Sequence, residues 1–228
     1  MPNDDRSVWA RTFDDVSKAK GDSEAANRYV SVRNFRFVRE RVLAEIGRVR
    51  NAVILDVGCG TGHFARTLAG ENRVVGIDIS RSMLLYARNK GIVPVQSAAE
   101  RLPFKEERFD ILLANSVIQL IPDGEIFIRE AMRVVRPGGR ILITTINAES
   151  IALAVFRRFE RKKYKHFRLY SVAELRKILT EAGGEIRNVH YLFFPMGKAK
   201  RVQGDANAGA IIRKLATSLI VDSVRPWI

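Results

Sequence analysis

Residues 52–62 read AVILDVGCGTG, an apolar run that passes straight into a loop with glycine at every second position. Apolar residues on both sides of the chain are typical of a strand that is covered on both faces of its sheet. Glycine reaches positive φ and lets the backbone approach a ligand closely, and a helix that follows such a loop offers free N–H groups to an anion. We therefore predict a buried strand over 52–58, a ligand-binding loop over 58–62 and a helix over 63–70.

Outward from this stretch, short apolar runs alternate with helical patterns, which is typical of a parallel sheet built from βαβ units. The predicted strands lie at 73–79, 92–98, 108–116, 140–146, 185–194 and 218–225. The predicted helices lie at 80–91, 125–135, 171–183 and 206–217, with Ser80 as an N-cap and a capping box from Ser171 to Glu174. The predicted fold class is therefore α/β.

The chain length of 228 residues suits one doubly wound domain with extensions. The first 45 or so residues have a helical pattern, with apolar residues on one stripe: Val32, Phe35, Val38 and Val42. We predict a helical N-terminal cap over 1–45 and a main domain over 46–228. A mainly helical, basic segment over 147–170, inserted after the fifth strand, would complete the cap.

Composition limits the classes of function that the chain can have. The single cysteine, Cys59, excludes a disulfide framework and a cysteine-rich metal site within the chain, and no metal site is predicted. We expect a cytoplasmic protein, because no signal peptide and no membrane span is visible. The formal charge of +14 would attract RNA, anionic lipid or an anionic small substrate. The basic run over 157–168 fits a solvated helix face as well as a substrate contact.

The acidic residues around the glycine loop indicate which ligand it holds. A dinucleotide fingerprint, G-x-G-x-x-G, would need glycine where the chain has His63. Asp56 would repel a pyrophosphate, but it suits a ligand that carries an ammonium and a sulfonium, such as S-adenosylmethionine. Asp78 ends the second strand, where a doubly wound fold places an acceptor for ribose hydroxyls, although it could instead be a simple N-cap.

Four ordered motifs resemble the broad family of small class I S-adenosylmethionine-dependent methyltransferases that includes the ubiquinone and menaquinone methylases. These motifs are VILDVGCGTGHFA at 53–65, VVGIDISRSML at 74–84, AAERLPFKEERFDILLANSVIQLI at 98–121 and REAMRVVRPGGRILITT at 129–145. The resemblance implies a doubly wound, Rossmann-like, mostly parallel sheet of seven strands with an antiparallel last strand, and a helical N-terminal extension. It also implies methyl transfer from S-adenosylmethionine.

The same resemblance assigns roles to particular residues. Asp56, Gly58 and Gly60 would shape the methionine pocket, in a loop that also holds Cys59 and Gly62. The ribose would lie at Asp78 and Ile79, the adenine at Met83, Ala99 and Glu100, and the sulfonium beside Asn115. Two departures stand out. Ala98 replaces a frequent aspartate, which leaves Ser97 or a backbone carbonyl as the adenine acceptor, and Gln119 replaces a frequent histidine, so that no catalytic base is assigned.

The methyl acceptor would lie under the N-terminal helices and the segment after the fifth strand. These parts contain many aromatic residues: Trp9, Phe13, Tyr29, Phe35, Phe37, Phe156, Phe159, Tyr164 and Phe167. Together with nearby arginines they favour a small aromatic, quinone-like or lipid-like acceptor, with or without an anionic group, unless they only pack the cap. An RNA methyltransferase and a non-catalytic S-adenosylmethionine-binding protein are the alternatives, and the oligomeric state stays open.

Overall fold

The computed structural model describes residues 5–27, 32–159, 166–193, 202–204 and 210–227. Their helices are α1 (Asp5–Lys20), α2 (Val32–Ile46), α3 (Arg81–Arg88), α4 (Gly124–Val134), α5 (Ile151–Phe159), α6 (Val172–Glu181) and α7 (Ala210–Leu215). Their strands are β1 (Val53–Val57), β2 (Arg73–Asp78), β3 (Ile92–Gln96), β4 (Phe109–Asn115), β5 (Val135–Ile146), β6 (Glu185–Phe193), β7 (Val202–Gly204) and β8 (Ser218–Val224). None of the described helices is long and apolar enough to cross a membrane.

The strands form one mixed sheet in the order β3-β2-β1-β4-β5-β8-β6-β7. The strands β1 to β5 are parallel to one another, and β8 runs antiparallel between β5 and β6. This topology confirms the predicted α/β fold with an antiparallel last strand. The three-residue strand β7, which pairs with the end of β6, was not predicted.

Each face of the sheet is covered by its own apolar cluster, as a doubly wound sheet requires. One cluster joins β1 and β4 to side chains of α4 and α6, among them Phe127 and Leu179. The other joins the opposite face of the same strands to α2 and α3 through Phe35, Val38 and Leu84. The helix α2 therefore covers the sheet, whereas α1 lies beside α3. The division at residue 45 into a cap and a main domain stays a prediction.

Local signals explain most of the element boundaries. The hydroxyl of Ser80 accepts from the Met83 N–H, and Ser171 and Glu174 form the capping box, which confirms both predicted caps. The helix predicted over 63–70 is wrong, because only a 3₁₀ turn forms there, over Ala65–Thr67. The Asn72 side chain donates to the Leu68 carbonyl at 2.9 Å, which satisfies that acceptor without a further helical turn.

Candidate active site

A cleft of about 930 Å³, a volume that includes solvent at its mouth, lies at the carboxyl ends of β1, β2 and β4. Open α/β sheets bind ligands at this edge, outside the carboxyl ends of their strands. Ten of the eleven predicted site residues line the cleft: Asp56, Gly58, Cys59, Gly60, Asp78, Ile79, Met83, Ala99, Glu100 and Asn115. The eleventh, Gly62, lies against α3, where an added Cβ would be 3.0 Å from the Ala87 Cα.

The loop after β1 depends on its glycines, as the sequence predicts. Gly58, Gly60 and Gly62 have φ of 68°, 54° and 79°, a conformation that side chains rarely adopt. An added Cβ at Gly58 would lie 2.5 Å from Val117 Cγ2, so the loop also needs the smallest residue for space. These constraints keep the backbone close against the cleft.

Asp78 holds this loop to the end of β2. Its Oδ2 accepts from the Gly60 N–H and its Oδ1 from the Ser80 N–H, both at 2.9 Å. Since Ser80 is the N-cap of α3, the interpretation of Asp78 as that cap is wrong. Burial raises the pKa of the Asp78 carboxyl, although the two backbone donors oppose that rise.

Asp56 is the more isolated of the two carboxyls. It is 1% exposed, and its Oδ2 has no hydrogen-bond partner within the described parts of the chain. Burial, with a smaller contribution from the charge of Asp78, raises the pKa of Asp56 to about 8. A cation near this carboxylate would replace the solvation that burial removes.

The loop after β4 forms the opposite wall and is fixed by the neighbouring strand β5. Thr144 Oγ1 donates to Asn115 Oδ1 at 2.7 Å and accepts from the Ser116 N–H at 2.8 Å. Ser116 has φ of 53°, which costs on the order of 1 kcal/mol for a non-glycine residue. The buried Gln119 amide donates to the Ser116 carbonyl and accepts from Thr145 Oγ1. Gln119 therefore braces this wall and does not line the cleft.

The N-terminal segment contributes Trp9, Phe13 and Ala26 to the lining of the cleft. Trp9 also packs on Phe167, with 5.6 Å between the ring centroids, so the segment after α5 contacts this part of the lining. Asp14 fastens α1 to the start of α3, because its Oδ1 accepts from the hydroxyls of Ser80, at 2.6 Å, and Ser82. Sequence analysis missed Asp14, since the sequence does not show which residue its side chain meets.

Comparison with known proteins shows which family the chain is related to. Residues 55–143 match the model of the methyltransferase domain family. An uncharacterised protein of Methanocaldococcus jannaschii is 33% identical over 152 residues, which are 65% of this chain and 73% of that protein. The ubiquinone biosynthesis O-methyltransferase of Rhizobium etli strain CIAT 652 is 32% identical over 181 residues, which are 69% of this chain and 73% of the relative.

The chain belongs to the class I S-adenosylmethionine-dependent methyltransferases. Its fold agrees: the structure of an S-adenosylmethionine-dependent methyltransferase of Thermotoga maritima superposes with a TM-score of 0.73 at 22% identity, over 93% of this chain and 99% of that one. The predicted activity, methyl transfer, and the predicted methyl donor, S-adenosylmethionine, are thereby confirmed.

The residues of the cleft fit S-adenosylmethionine. The unpaired Asp56 Oδ2 and the neighbouring Asp78 put two buried carboxyls beside a loop of positive-φ glycines, and both groups lack a cationic hydrogen-bond partner among the described residues. S-adenosylmethionine carries an ammonium and a sulfonium, the charges that such carboxylates favour. The methyltransferase therefore has an electrostatic reason to select this donor over a dinucleotide.

The three histidines lie outside the lining of the cleft. His63 Nε2 is 3.1 Å from Asp22 Oδ1, and burial followed by the charge of Lys90 lowers the pKa of His63. His190 Nε2 is 2.5 Å from Glu45 Oε2 between β6 and α2. His166 is an exposed residue next to Phe167. Ser97, by contrast, does line the cleft, and its hydroxyl donates to the Arg101 carbonyl at 2.9 Å, so its oxygen can still accept.

Proposed function

We propose that the enzyme methylates a small, largely apolar acceptor that is held between α1 and the loop after β4. One observation carries the proposal: opposite the two carboxyls, the cleft is lined by apolar side chains, namely Trp9, Phe13, Val117, Leu120, Ile121 and Pro122. A pocket that is mainly apolar with few polar groups is typical of a site for a small organic ligand. The subsite for the methyl donor and the subsite for the acceptor would then share one cleft.

The role of each residue on the donor side remains part of the proposal. Asp56, Gly58, Cys59 and Gly60 would surround the methionine portion, and Asn115 would lie beside the sulfonium. The ribose would be held by Asp78 and Ile79, with Met83, Ala99 and Glu100 at the adenine. The support for this assignment is that these residues share the lining of one cleft.

The acceptor wall also limits the chemistry. Bound S-adenosylmethionine supplies an electrophilic methyl group, and in-line transfer mainly needs an oriented nucleophile and exclusion of water. The described apolar wall contains neither a histidine nor a carboxylate, and the lining described contains no lysine or arginine. We therefore favour an acceptor whose reactive atom needs no base from this wall to become nucleophilic. The described lining offers no lysine or arginine to bind an anionic group of the acceptor.

The relatives are compatible with this acceptor class. The Rhizobium etli relative is named as an O-methyltransferase of ubiquinone biosynthesis. A quinone-like or other aromatic acceptor would stack on Trp9 and Phe13, whose rings are 6.1 Å apart. The covering role of residues 1–45 and 147–170 belongs to the same proposal, since Trp9 and Phe167 meet across these two segments.

Incubation with methyl-labelled S-adenosylmethionine and fractionated cell extract tests the proposal. We expect label in the small apolar fraction, and we expect Trp9→Ala to raise the acceptor KM while donor affinity stays near the parent value. Phe37→Ala is the matched control, because Phe37 is a half-buried aromatic residue outside the cleft lining. Label in RNA alone would replace the acceptor class, and donor binding without transfer to any fraction would indicate a non-catalytic protein.

A further inference from the structure

An exposed apolar stripe runs along α5. Ile151 is 54% exposed and Val155 is 55% exposed, and Ala154 between them is exposed as well. On the other side of the helix Leu153 is buried, so the outward face is more apolar than a solvated helix face needs to be. Isolated exposed apolar residues are ordinary, but three of them on one helical stripe form a surface.

Basic residues lie next to this stripe. Arg158, which is exposed, continues it by one turn. The neighbouring helix α7 adds exposed Arg213 and Lys214. Glu149, at the start of α5, is the acidic residue closest to the stripe along the chain. An apolar stripe with a basic border is typical of a helix that lies in the interface of an anionic membrane.

The surface lies at the same edge of the sheet as the cleft. The helix α5 follows the carboxyl end of β5, and α7 precedes Ser218, which pairs with Ile146 at that end. The Asn147 side chain, in the connection between β5 and α5, fastens this connection to the end of α7, since its amide donates to the Arg213 and Ala216 carbonyls at 3.0 and 2.9 Å. The surface is therefore built on a fixed corner of the fold, at the edge of the sheet that also carries the cleft.

We propose that α5 and α7 dock the enzyme on an anionic lipid surface, so that the mouth of the cleft faces the bilayer from which an apolar acceptor comes. The choice of lipid over RNA follows from Ile151 and Val155, because a phosphate backbone is bound by charge and gains nothing from exposed aliphatic side chains. Acidic headgroups match the charge of +14, and the aliphatic side chains match the boundary with the acyl chains. The orientation of the cleft rests on the proposed apolar acceptor, whereas the docking does not.

Flotation with lipid vesicles tests the docking on the full chain, without any methyl transfer. We expect binding to phosphatidylcholine vesicles that contain about one third phosphatidylglycerol, no binding to phosphatidylcholine alone, and release by salt of about 0.5 M. The double variant Ile151→Ser with Val155→Ser should reduce partitioning about tenfold or more. Donor titration and circular dichroism of this variant should match the parent, because both side chains are exposed.

A matched control replaces two apolar residues of similar exposure near the opposite edge of the sheet, Leu85→Ser in α3 with Val93→Ser in β3, which are 62% and 47% exposed in the parent. This control should bind vesicles as the parent does. Failure of the parent to float with anionic vesicles would overturn the proposal, and so would an equal loss in both double variants. The parent could instead bind transfer RNA and not vesicles, with RNA binding unchanged in the Ile151→Ser, Val155→Ser variant. That result would reassign the basic surface to RNA. If the enzyme binds anionic vesicles but transfers no methyl group to an apolar acceptor, only the proposed acceptor class is refuted.

Discussion

In the half of the cleft formed after β1 and β2, backbone amides hold the site together, whereas side chains from separate segments form the opposite half. Asp78 accepts from Gly60 and Ser80, both local in the topology of the sheet. The apolar half depends instead on Trp9 in α1, which packs on Phe167 more than 150 residues away in the chain. A site held by backbone geometry leaves a short sequence motif, but a site held by distant packing leaves only scattered aromatic residues.

Gly58→Ala should disturb the backbone-held half most. The added Cβ would meet Val117 at 2.5 Å and would also strain a φ of 68°, so the loop must move. We expect donor affinity to fall by about 100-fold, and the free energy of unfolding to fall by at least the ~1–2 kcal/mol that positive φ costs. Calorimetric donor titration and denaturant unfolding measure both effects.

Gly47→Ala is the control for strain alone, because Gly47 has φ of 75° and an added Cβ there would meet nothing within 4 Å. It should lower the free energy of unfolding by about 1–2 kcal/mol and leave donor affinity unchanged. Equal donor affinities for the two variants would show that close packing at Gly58 does not shape the site.

Asp78→Asn should have the next largest effect. The change keeps the shape and one acceptor for the Gly60 or Ser80 amide but removes the charge, and we expect donor affinity to fall by about 1.5–3 kcal/mol. Asp123→Ala is the control: Asp123 caps α4 by accepting from the Glu125 and Ile126 N–H groups, so its loss should cost about 1 kcal/mol of stability and no donor affinity. A donor affinity for Asp78→Asn equal to that of the parent would leave Asp78 with a structural role only.

The same contrast decides what could be predicted from the sequence. The positive φ of the loop glycines, the Ser80 cap and the clustering of Asp56 with Asp78 follow from local chemistry and from the rule that carboxyl ends of parallel strands meet at one edge. The helix expected at 63–70 shortens to the 3₁₀ turn Ala65–Thr67, and the Asn72 side chain satisfies the Leu68 carbonyl, a contact that the helical pattern does not show. The bracing of Gln119 by Thr145 likewise depends on a strand pairing that no local motif shows.

Protonation of Asp56 should couple donor binding to pH. Its pKa is about 8 in the folded protein without donor and about 3.9 when unfolded, so between these values the folded state holds the extra proton. The free energy of unfolding should therefore fall as pH rises from about 4 to 8, by at most about 1.4 kcal/mol per pH unit. A cationic donor favours the carboxylate, and its binding should release a proton and tighten as pH rises through that window.

Calorimetry in two buffers of different ionisation enthalpy measures this proton release. Asp56→Asn should abolish the release, flatten the pH dependence of binding and increase the stability of the donor-free protein near pH 8. Release of the same number of protons by the parent and by Asp56→Asn would place the titrating group elsewhere.

Asp14→Ala should give the smallest effect, on the half of the cleft that packing holds. Asp14 joins α1 to α3 through the hydroxyls of Ser80 and Ser82, and the hydrogen bond from Ser80, followed by that from Ser82, lowers the pKa of Asp14. A carboxyl with a lowered folded pKa contributes stability that is present above its unfolded pKa of about 3.9 and is lost as pH falls through the folded value. We expect Asp14→Ala to weaken the docking of α1 by about 1 kcal/mol at neutral pH, which should raise the rate of tryptic cleavage after Lys18 and Lys20 about fivefold.

Asp15→Ala is the matched control, because Asp15 is exposed and its Oδ1 is 3.9 Å from Lys18 Nζ in a surface pair that contributes little. Since the donor side is held by backbone amides, donor affinity should change less in Asp14→Ala than in Asp78→Asn. Equal cleavage rates for Asp14→Ala and Asp15→Ala would mean that the packing of Trp9 and Phe13 alone holds α1 in place.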